Sequence, residues 1–235
     1  NNTKTGDTTA ISLSRETMAN INVYSAEGKY INNTYEQLCL AYAYGDGKEL
    51  SCENSVRSVS RIMYGLPINS YFALDLDAIS VLNDSIGGVS LTMNIDMTSP
   101  YGREMLKGTD ITLIGKEAES YVRARDSMVL ESNNDRMDRQ IQYLNSFVKE
   151  AVTSIKEDAS TPVRMYNAAS PYMVTNLSLD KVTYLALNTV TKGAGEVTFK
   201  SVPGEIKKGE KYAEFYPDET ALYELILSVF YTQIS

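Results

Sequence analysis

The sequence lacks histidine altogether and contains only two cysteines among its 235 residues. Without histidine there is no histidine-based catalytic triad and no histidine metal ligand, so acid–base chemistry would rest on Asp, Glu, Lys or Tyr. The two cysteines, Cys39 and Cys52, are too few for a zinc site of their own. The sequence leaves open whether they form a disulfide or stay separate thiols.

Long apolar runs are also lacking. No stretch approaches the roughly 20 apolar residues that a membrane-spanning helix needs, and no signal peptide is recognisable. The chain begins with Asn1, without methionine, and we therefore expect it to be a trimmed piece of a longer protein. For that reason the missing targeting segment indicates little about where the parent protein is located.

Positive charge is scarce, with 22 Lys and Arg residues against 30 Asp and Glu residues and a net charge of -8. This balance argues against general binding to nucleic acid or to anionic membranes. Within this acidic chain, a short stretch holds four of the nine arginines, which are Arg123, Arg125, Arg136 and Arg139. The local cationic cluster predicts a site for a multiply charged anion such as a pyrophosphate.

Strand-like and helix-like patterns interleave along the chain, and no linker separates them. Strands are predicted at 8–13, 71–76, 89–95 and 196–202. Helices are predicted at 35–44, 52–64, 78–83, 113–119, 136–152, about 178–188 and 219–230. A hydrophobic content of 43% is enough for one large domain or two small ones. We expect a single α/β domain over residues 1–235, with helices packed on a mixed sheet.

The spacing of the cationic residues allows them to converge. If 121–125 is a strand, Arg123 and Arg125 point to the same face. In a helix starting at Arg136, Gln140 shares a face with Arg136, and Arg139 lies beside them. Guanidinium groups bind phosphate bidentately and stay charged, and a helix N-terminus adds partial positive charge. The alternative is a set of solvated arginines paired with nearby carboxylates, which is common on surfaces.

Taken with four other segments, this stretch resembles the LytR-CpsA-Psr family of cell-envelope phosphotransferases. The family has an Arg-x-Arg pair at a strand end and then a helix that starts with Arg-x-x-Arg-Gln. The further segments that carry the resemblance are Ser14-Arg15-Glu16-Thr17, Ala41 to Gly45, Asn83-Asp84-Ser85-Ile86-Gly87-Gly88-Val89 and Leu113-Ile114-Gly115-Lys116-Glu117-Ala118. Their order and spacing hold from about residue 1 to 150.

The resemblance implies a fold in which a mixed central sheet is flanked by helices on both faces and encloses a hydrophobic lipid tunnel. It also implies an activity, the transfer of a teichoic acid or capsule type glycopolymer from undecaprenyl pyrophosphate to a peptidoglycan hydroxyl. The parent protein would then work on the extracytoplasmic face of the plasma membrane, anchored by an N-terminal helix that precedes Asn1.

The resemblance further implies which residues hold the pyrophosphate. Those residues would be Arg15, Arg123, Arg125, Arg136, Arg139 and Gln140. Arg15, Arg123 and Arg125 would also act in the transfer. The implied cofactor is Mg²⁺, whose two aspartate ligands would lie upstream of residue 1. Asp84 is either a general base or a residue that orders the Gly87-Gly88 turn through backbone amides.

The sequence departs from the family pattern at several positions. Gln37 stands where the family has a lysine, and Asn133 stands where it has an aspartate. Ser14 and Glu16 replace the proline and aspartate that flank the arginine of the family motif. These changes leave two alternatives to the enzyme: a non-catalytic polyprenyl-phosphate-binding module, or an envelope regulatory protein whose arginines are ion-paired.

Overall fold

The structure is a computed structural model that describes residues 7–124, 132–191 and 197–231, with the backbone alone for 132–135. Helices α1 to α8 occupy Leu40–Ala43, Glu49–Ile62, Asp77–Ser85, Lys116–Arg123, Ser132–Glu157, Thr161–Ala169, Leu179–Thr191 and Glu219–Phe230. Strands β1 to β12 occupy Thr8–Ser12, Met18–Tyr24, Tyr30–Gln37, Phe72–Leu74, Val89–Thr92, Met97–Thr98, Glu104–Met105, Asp110–Leu113, Met173–Thr175, Val197–Ser201, Gly204–Lys208 and Ala213–Pro217.

The chain is divided into two compact units. The first is built mainly from Leu74–Met173 and Ser178–Val197, and the second mainly from Thr9–Ala73 and Thr198–Ser235, with Val174–Leu177. The α/β fold class is confirmed. The expectation of a single domain over residues 1–235 stays a prediction.

The core of the first unit forms around strand β5. Its residues Val89 and Leu91 are buried while the alternate residues are exposed, as expected for a strand with one face on a core. β5 pairs antiparallel with β8, with Val89 opposite Leu113, and α5 packs on β5. Met93, Met105, Ala118, Tyr121, Val122 and Tyr143 complete this core.

The second unit contains the β2–β3 hairpin, which pairs Met18 with Gln37 and Tyr24 with Tyr30. Helix α2 packs on β2. Strands β11 and β12 form a further antiparallel pair. Two apolar clusters fill this unit, one of Met63, Val202, Phe215, Leu222 and Ile226 and one of Ala19, Ile21 and Ala41.

The predicted helix over 35–44 is wrong for its first part. Residues 30–37 form strand β3, and only Leu40–Ala43 is helical. The strand forms because its backbone pairs with β2 across the hairpin. Most β3 side chains are exposed, so the segment lacks the apolar alternation that would have identified it as a strand.

The structure also describes the state of the two cysteines and the apolar character of the helices. Cys39 and Cys52 are both free thiols, the first half-buried and the second buried. Across the described ranges, no helix is long and apolar enough to cross a membrane.

Candidate functional site

Arg123 lies in helix α4 and not in a strand, so the prediction of a strand at this position is wrong. Glu117, Ala118, Tyr121 and Val122 are buried, and their spacing is that of one helix face. Arg123 ends this helix with an exposed side chain, and its Nη1 lies 2.7 Å from Oε1 of Glu119 one turn earlier. Arg125, the other member of the predicted pair, lies outside the described residues.

The first part of α5 reaches back to the C-terminal end of α4. Nε2 of Gln140 donates a hydrogen bond to the Val122 carbonyl at 3.2 Å, and Nη2 of Arg139 donates to the Ala124 carbonyl. The last carbonyls of a helix have no partner within the helix, and cations are favourable beside them. These bonds therefore place Arg139 and Gln140 next to the helix end that carries Arg123.

Arg139 is buried, with only 3% of its surface exposed. Its Nε has no hydrogen-bond partner among the described residues, and none of the described carboxylates forms an ion pair with it. Burial raises the pKa of Tyr121, while the charge of Arg139 opposes that rise. A buried guanidinium without a counter-charge is costly, and an anion placed against Nε would supply the missing acceptor.

Arg136 lies on α5, four residues before Gln140, with a half-buried side chain. The predicted helix over 136–152 is confirmed within the longer α5, and so is the shared face of Arg136 and Gln140 that follows from this spacing. Arg123, Arg136, Arg139 and Gln140 therefore all belong to the α4–α5 junction, which is our name for the end of α4 and the first turns of α5.

Tyr121 and Gln142 also belong to this region, although the sequence patterns did not predict a role for them in the site. The Tyr121 hydroxyl lies 2.5 Å from Oε1 of Gln142 and 3.0 Å from Oδ1 of Asn94, and its one proton can bond to either acceptor. Nε2 of Gln142 donates to the Thr92 carbonyl at 2.7 Å. These bonds fix α4 and α5 to strand β5 and its end. The helical spacing of Tyr121 from Glu117 was the signal that could have identified it.

Asp84 lies at the end of α3 and positions the start of α4. Its Oδ1 accepts hydrogen bonds from the Gly115 amide at 2.7 Å and from Nδ2 of Asn83 at 3.1 Å. Gly115 precedes α4 with φ of +51°, a conformation that favours glycine. The carboxylate thus binds the amide of Gly115. The Gly87 amide bonds to the main-chain carbonyl of Asp84, at 3.1 Å.

Arg15 belongs to the second unit, in the turn that follows β1. The turn is closed by hydrogen bonds from the Thr17 amide and hydroxyl to the Ser14 carbonyl, at 3.1 and 2.6 Å. The Arg15 side chain is 61% exposed and its Nε lies 3.7 Å from Oε1 of Glu16. Its Nη2 donates to Sγ of Cys39 at 3.6 Å. Such an exposed cation keeps donors for an anionic ligand.

The described residues do not fit the Mg²⁺ ion that the resemblance implies. In the part of the chain that the structure describes, no group of three or more Asp, Glu, Cys or His side chains could hold a metal ion. Mg²⁺ takes several oxygen ligands in near-octahedral geometry, and Oδ1 of Asp84 already accepts two hydrogen bonds.

Comparisons with known proteins identify the family. The LytR_cpsA_psr family matches residues 1–226. The chain is 25% identical over 159 residues to the cell wall biosynthesis protein LcpA of Corynebacterium glutamicum, a match that covers 66% of this chain but only 30% of LcpA. It thus spans about 30% of the length of that relative.

Solved structures show the same fold. The crystal structure of TagV from B. subtilis matches with a TM-score of 0.75 and 20% identity, over 98% of this chain and 87% of that one. A structure of TagT bound to LI-WTA matches with a TM-score of 0.68 and 20% identity, over 97% and 79%. Since the family match extends over almost the whole sequence, the chain belongs to the LytR-CpsA-Psr family.

Proposed function

We propose that this chain is the phosphotransferase domain of an extracytoplasmic enzyme. It moves a teichoic acid or capsule type glycopolymer from undecaprenyl pyrophosphate onto peptidoglycan. Family membership supports this proposal, as do the name of the relative LcpA, a cell wall biosynthesis protein, and the LI-WTA bound to the structural neighbour TagT.

The observation that carries the proposal is the buried Arg139. Only 3% of its surface is exposed, and its Nε has no partner among the described residues. A protein that buries a guanidinium in this way needs an anion close by to compensate for the lost hydration. A pyrophosphate at the α4–α5 junction provides that charge, with the exposed Arg123 as a second donor.

The arginines would stabilise the transition state by holding the phosphate groups in position and by neutralising their negative charge. In the transfer, the acceptor hydroxyl oxygen forms a bond to the phosphorus that carries the glycan and loses its proton. The bond from that phosphorus to the bridging oxygen breaks, and polyprenyl phosphate leaves with the electron pair. Negative charge builds on the phosphate oxygens, and fixed cations stabilise it. Arg123, Arg136, Arg139 and Gln140 would hold these oxygens. The family resemblance assigns the same role to Arg15 and Arg125.

The remaining parts of the proposal concern the surroundings of this site. A hydrophobic tunnel would hold the polyprenyl tail, and an N-terminal membrane helix would keep the domain beside its lipid substrate. The partners are then the lipid-linked glycan, peptidoglycan and the membrane, with no role for nucleic acid.

A transfer assay with labelled polyprenyl-pyrophosphate glycan and peptidoglycan tests the proposal on the full-length protein. We expect Arg123→Ala to lower transfer, because it removes a donor to the phosphate oxygens. Arg164→Ala is the matched control, since Arg164 is also half-exposed and paired with a carboxylate, that of Asp158, in the same unit. Wild type that binds the lipid but transfers nothing would support a non-catalytic binding module instead.

A further inference from the structure

A groove in the second unit carries positive charge that the pyrophosphate site does not use. This cavity of about 440 Å³ runs along helix α2 and is lined by Glu53, Arg57, Ser60, Arg61, Tyr71 and Asn176, among others. We call it the α2 groove. None of the residues predicted to bind pyrophosphate lines it.

The polar residues of the groove form a stripe on one face of α2. Glu53, Arg57 and Arg61 follow one another at intervals of four residues, which places them in a row along the helix. With a rise of about 1.5 Å per residue, this row is about 12 Å long. The two guanidinium groups outnumber the carboxylate, so the lining is positive in a chain with a net charge of -8.

Neutral groups on strand β2 hold both guanidinium groups. Nη1 of Arg57 donates to the Tyr24 hydroxyl at 2.6 Å. Nη1 and Nη2 of Arg61 donate to Oδ1 of Asn22 at 3.2 Å, and Nη1 also donates to the Asn20 carbonyl at 3.0 Å. Among the described residues, neither arginine forms an ion pair with a carboxylate. Their charges are therefore oriented but not neutralised.

Tyr71 and Asn176, which also line the groove, are held by hydrogen bonds of their own. Oδ1 of Asn176 accepts from the Tyr71 amide at 3.1 Å, and its Nδ2 donates to the Asn69 carbonyl at 3.0 Å. The Thr175 hydroxyl donates to the Tyr71 carbonyl at 2.6 Å. A second cavity of about 290 Å³ shares Val56, Ile68 and Tyr71 with the groove.

We propose that the α2 groove is a second anion site, which binds a sugar unit bearing a phosphate group. Two oriented guanidinium groups match the oxygens of a phosphate, which they can bind bidentately. The carboxylate of Glu53 can accept hydrogen bonds from sugar hydroxyls, and the Tyr71 ring offers an apolar face to the sugar carbons. The binding does not depend on the transfer reaction.

Glucose 6-phosphate is a suitable probe, with the backbone amides followed by two-dimensional NMR during a titration. We expect saturable shifts at Arg57, Ser60, Arg61 and Asn176, and weaker shifts with glucose or inorganic phosphate alone. Arg57→Gln should weaken binding about tenfold or more, as expected for loss of a charged hydrogen bond. Arg57 is exposed, and an unchanged melting temperature would show that the variant folds.

Three results would contradict the proposal that the α2 groove binds a sugar phosphate. One is an Arg57→Gln variant that binds glucose 6-phosphate as tightly as wild type does. Another is equal affinity for inorganic phosphate and the sugar phosphate. The third is a set of shifts confined to the α4–α5 junction.

An Arg123→Ala variant that loses transfer but keeps the shifts on α2 would support the groove as a separate site. The control Arg164→Gln should bind glucose 6-phosphate as tightly as wild type does.

Discussion

At the residue scale, two arginines of the same cluster are held in different ways. Arg123 is exposed and bonded to Glu119 within its own helix, whereas Arg139 is buried and bonds to the carbonyl that follows that helix. The residue types and the spacing on α5 could be predicted from the sequence. The burial of Arg139 could not, because it depends on how α5 packs against α4.

We predict that Arg139→Gln removes most of the stabilisation by inorganic pyrophosphate. A ligand at 100 times its dissociation constant stabilises the folded state by about 2.7 kcal/mol, which corresponds to a rise in melting temperature of roughly 5–10 °C for a chain of this size. Differential scanning calorimetry with and without pyrophosphate measures this shift. Arg164→Gln should keep the full shift, and an equal shift in Arg139→Gln would exclude Arg139 from the site.

The role of Asp84 can be tested by two substitutions at the same position. Its Oδ1 accepts from the Gly115 amide, and an asparagine at 84 can keep that acceptor. We therefore expect Asp84→Asn to retain both stability and transfer, while Asp84→Ala lowers the free energy of unfolding by about 1 kcal/mol. Urea denaturation and the transfer assay measure the two effects. A stable but inactive Asp84→Asn would make Asp84 the general base.

Among the secondary-structure elements, sequence patterns predicted several helices correctly but assigned two segments to the wrong type of element. Helix α8 covers the predicted range 219–230, and the Asp218 side chain caps its start by accepting a hydrogen bond from the Ala221 amide. Residues 30–37 form a strand only because β2 lies beside them. Tyr121 and Val122 favour strands by propensity, but their burial on the face shared with Glu117 makes the segment helical. Both errors concern segments whose structure is determined by distant contacts.

Helix α8 is connected to the end of α2 by a bond that depends on pH. The Tyr64 hydroxyl donates to Oε2 of Glu219 at 2.5 Å, and its oxygen lies 3.0 Å from the Glu219 carbonyl oxygen. The bond to Glu219 raises the pKa of Tyr64 to about 12. Because ionisation is harder in the folded state, the bond contributes fully below the usual tyrosine pKa of about 10 and is lost as the pH rises through about 12.

We predict that Tyr64→Phe is less stable than wild type up to pH of about 10 and that the difference shrinks above it. Urea denaturation at several pH values measures the free energy of unfolding of both proteins. Tyr212→Phe is the control, since the Tyr212 side chain is 71% exposed and should show no such difference. A stability difference that is constant across the alkaline range would contradict the assigned hydrogen bond.

In the molecule as a whole, several arginines of this acidic chain are grouped at a few sites. The first unit carries the α4–α5 junction, and the second unit carries Arg15 and the α2 groove. The α/β class and the family could be predicted from the sequence, because ordered motifs identify both. The division into two compact units could not, since it depends on contacts between distant parts of the chain.

If these arginines hold the pyrophosphate of a polyprenyl-linked glycan, the purified protein should carry that lipid. Native mass spectrometry of the protein expressed in bacteria and purified in mild detergent tests it most directly. We predict a bound polyprenyl phosphate or pyrophosphate in wild type and in Arg164→Ala, and its loss in Arg123→Ala combined with Arg139→Gln. A wild-type protein that neither retains such a lipid nor takes it up when it is added would contradict the claim.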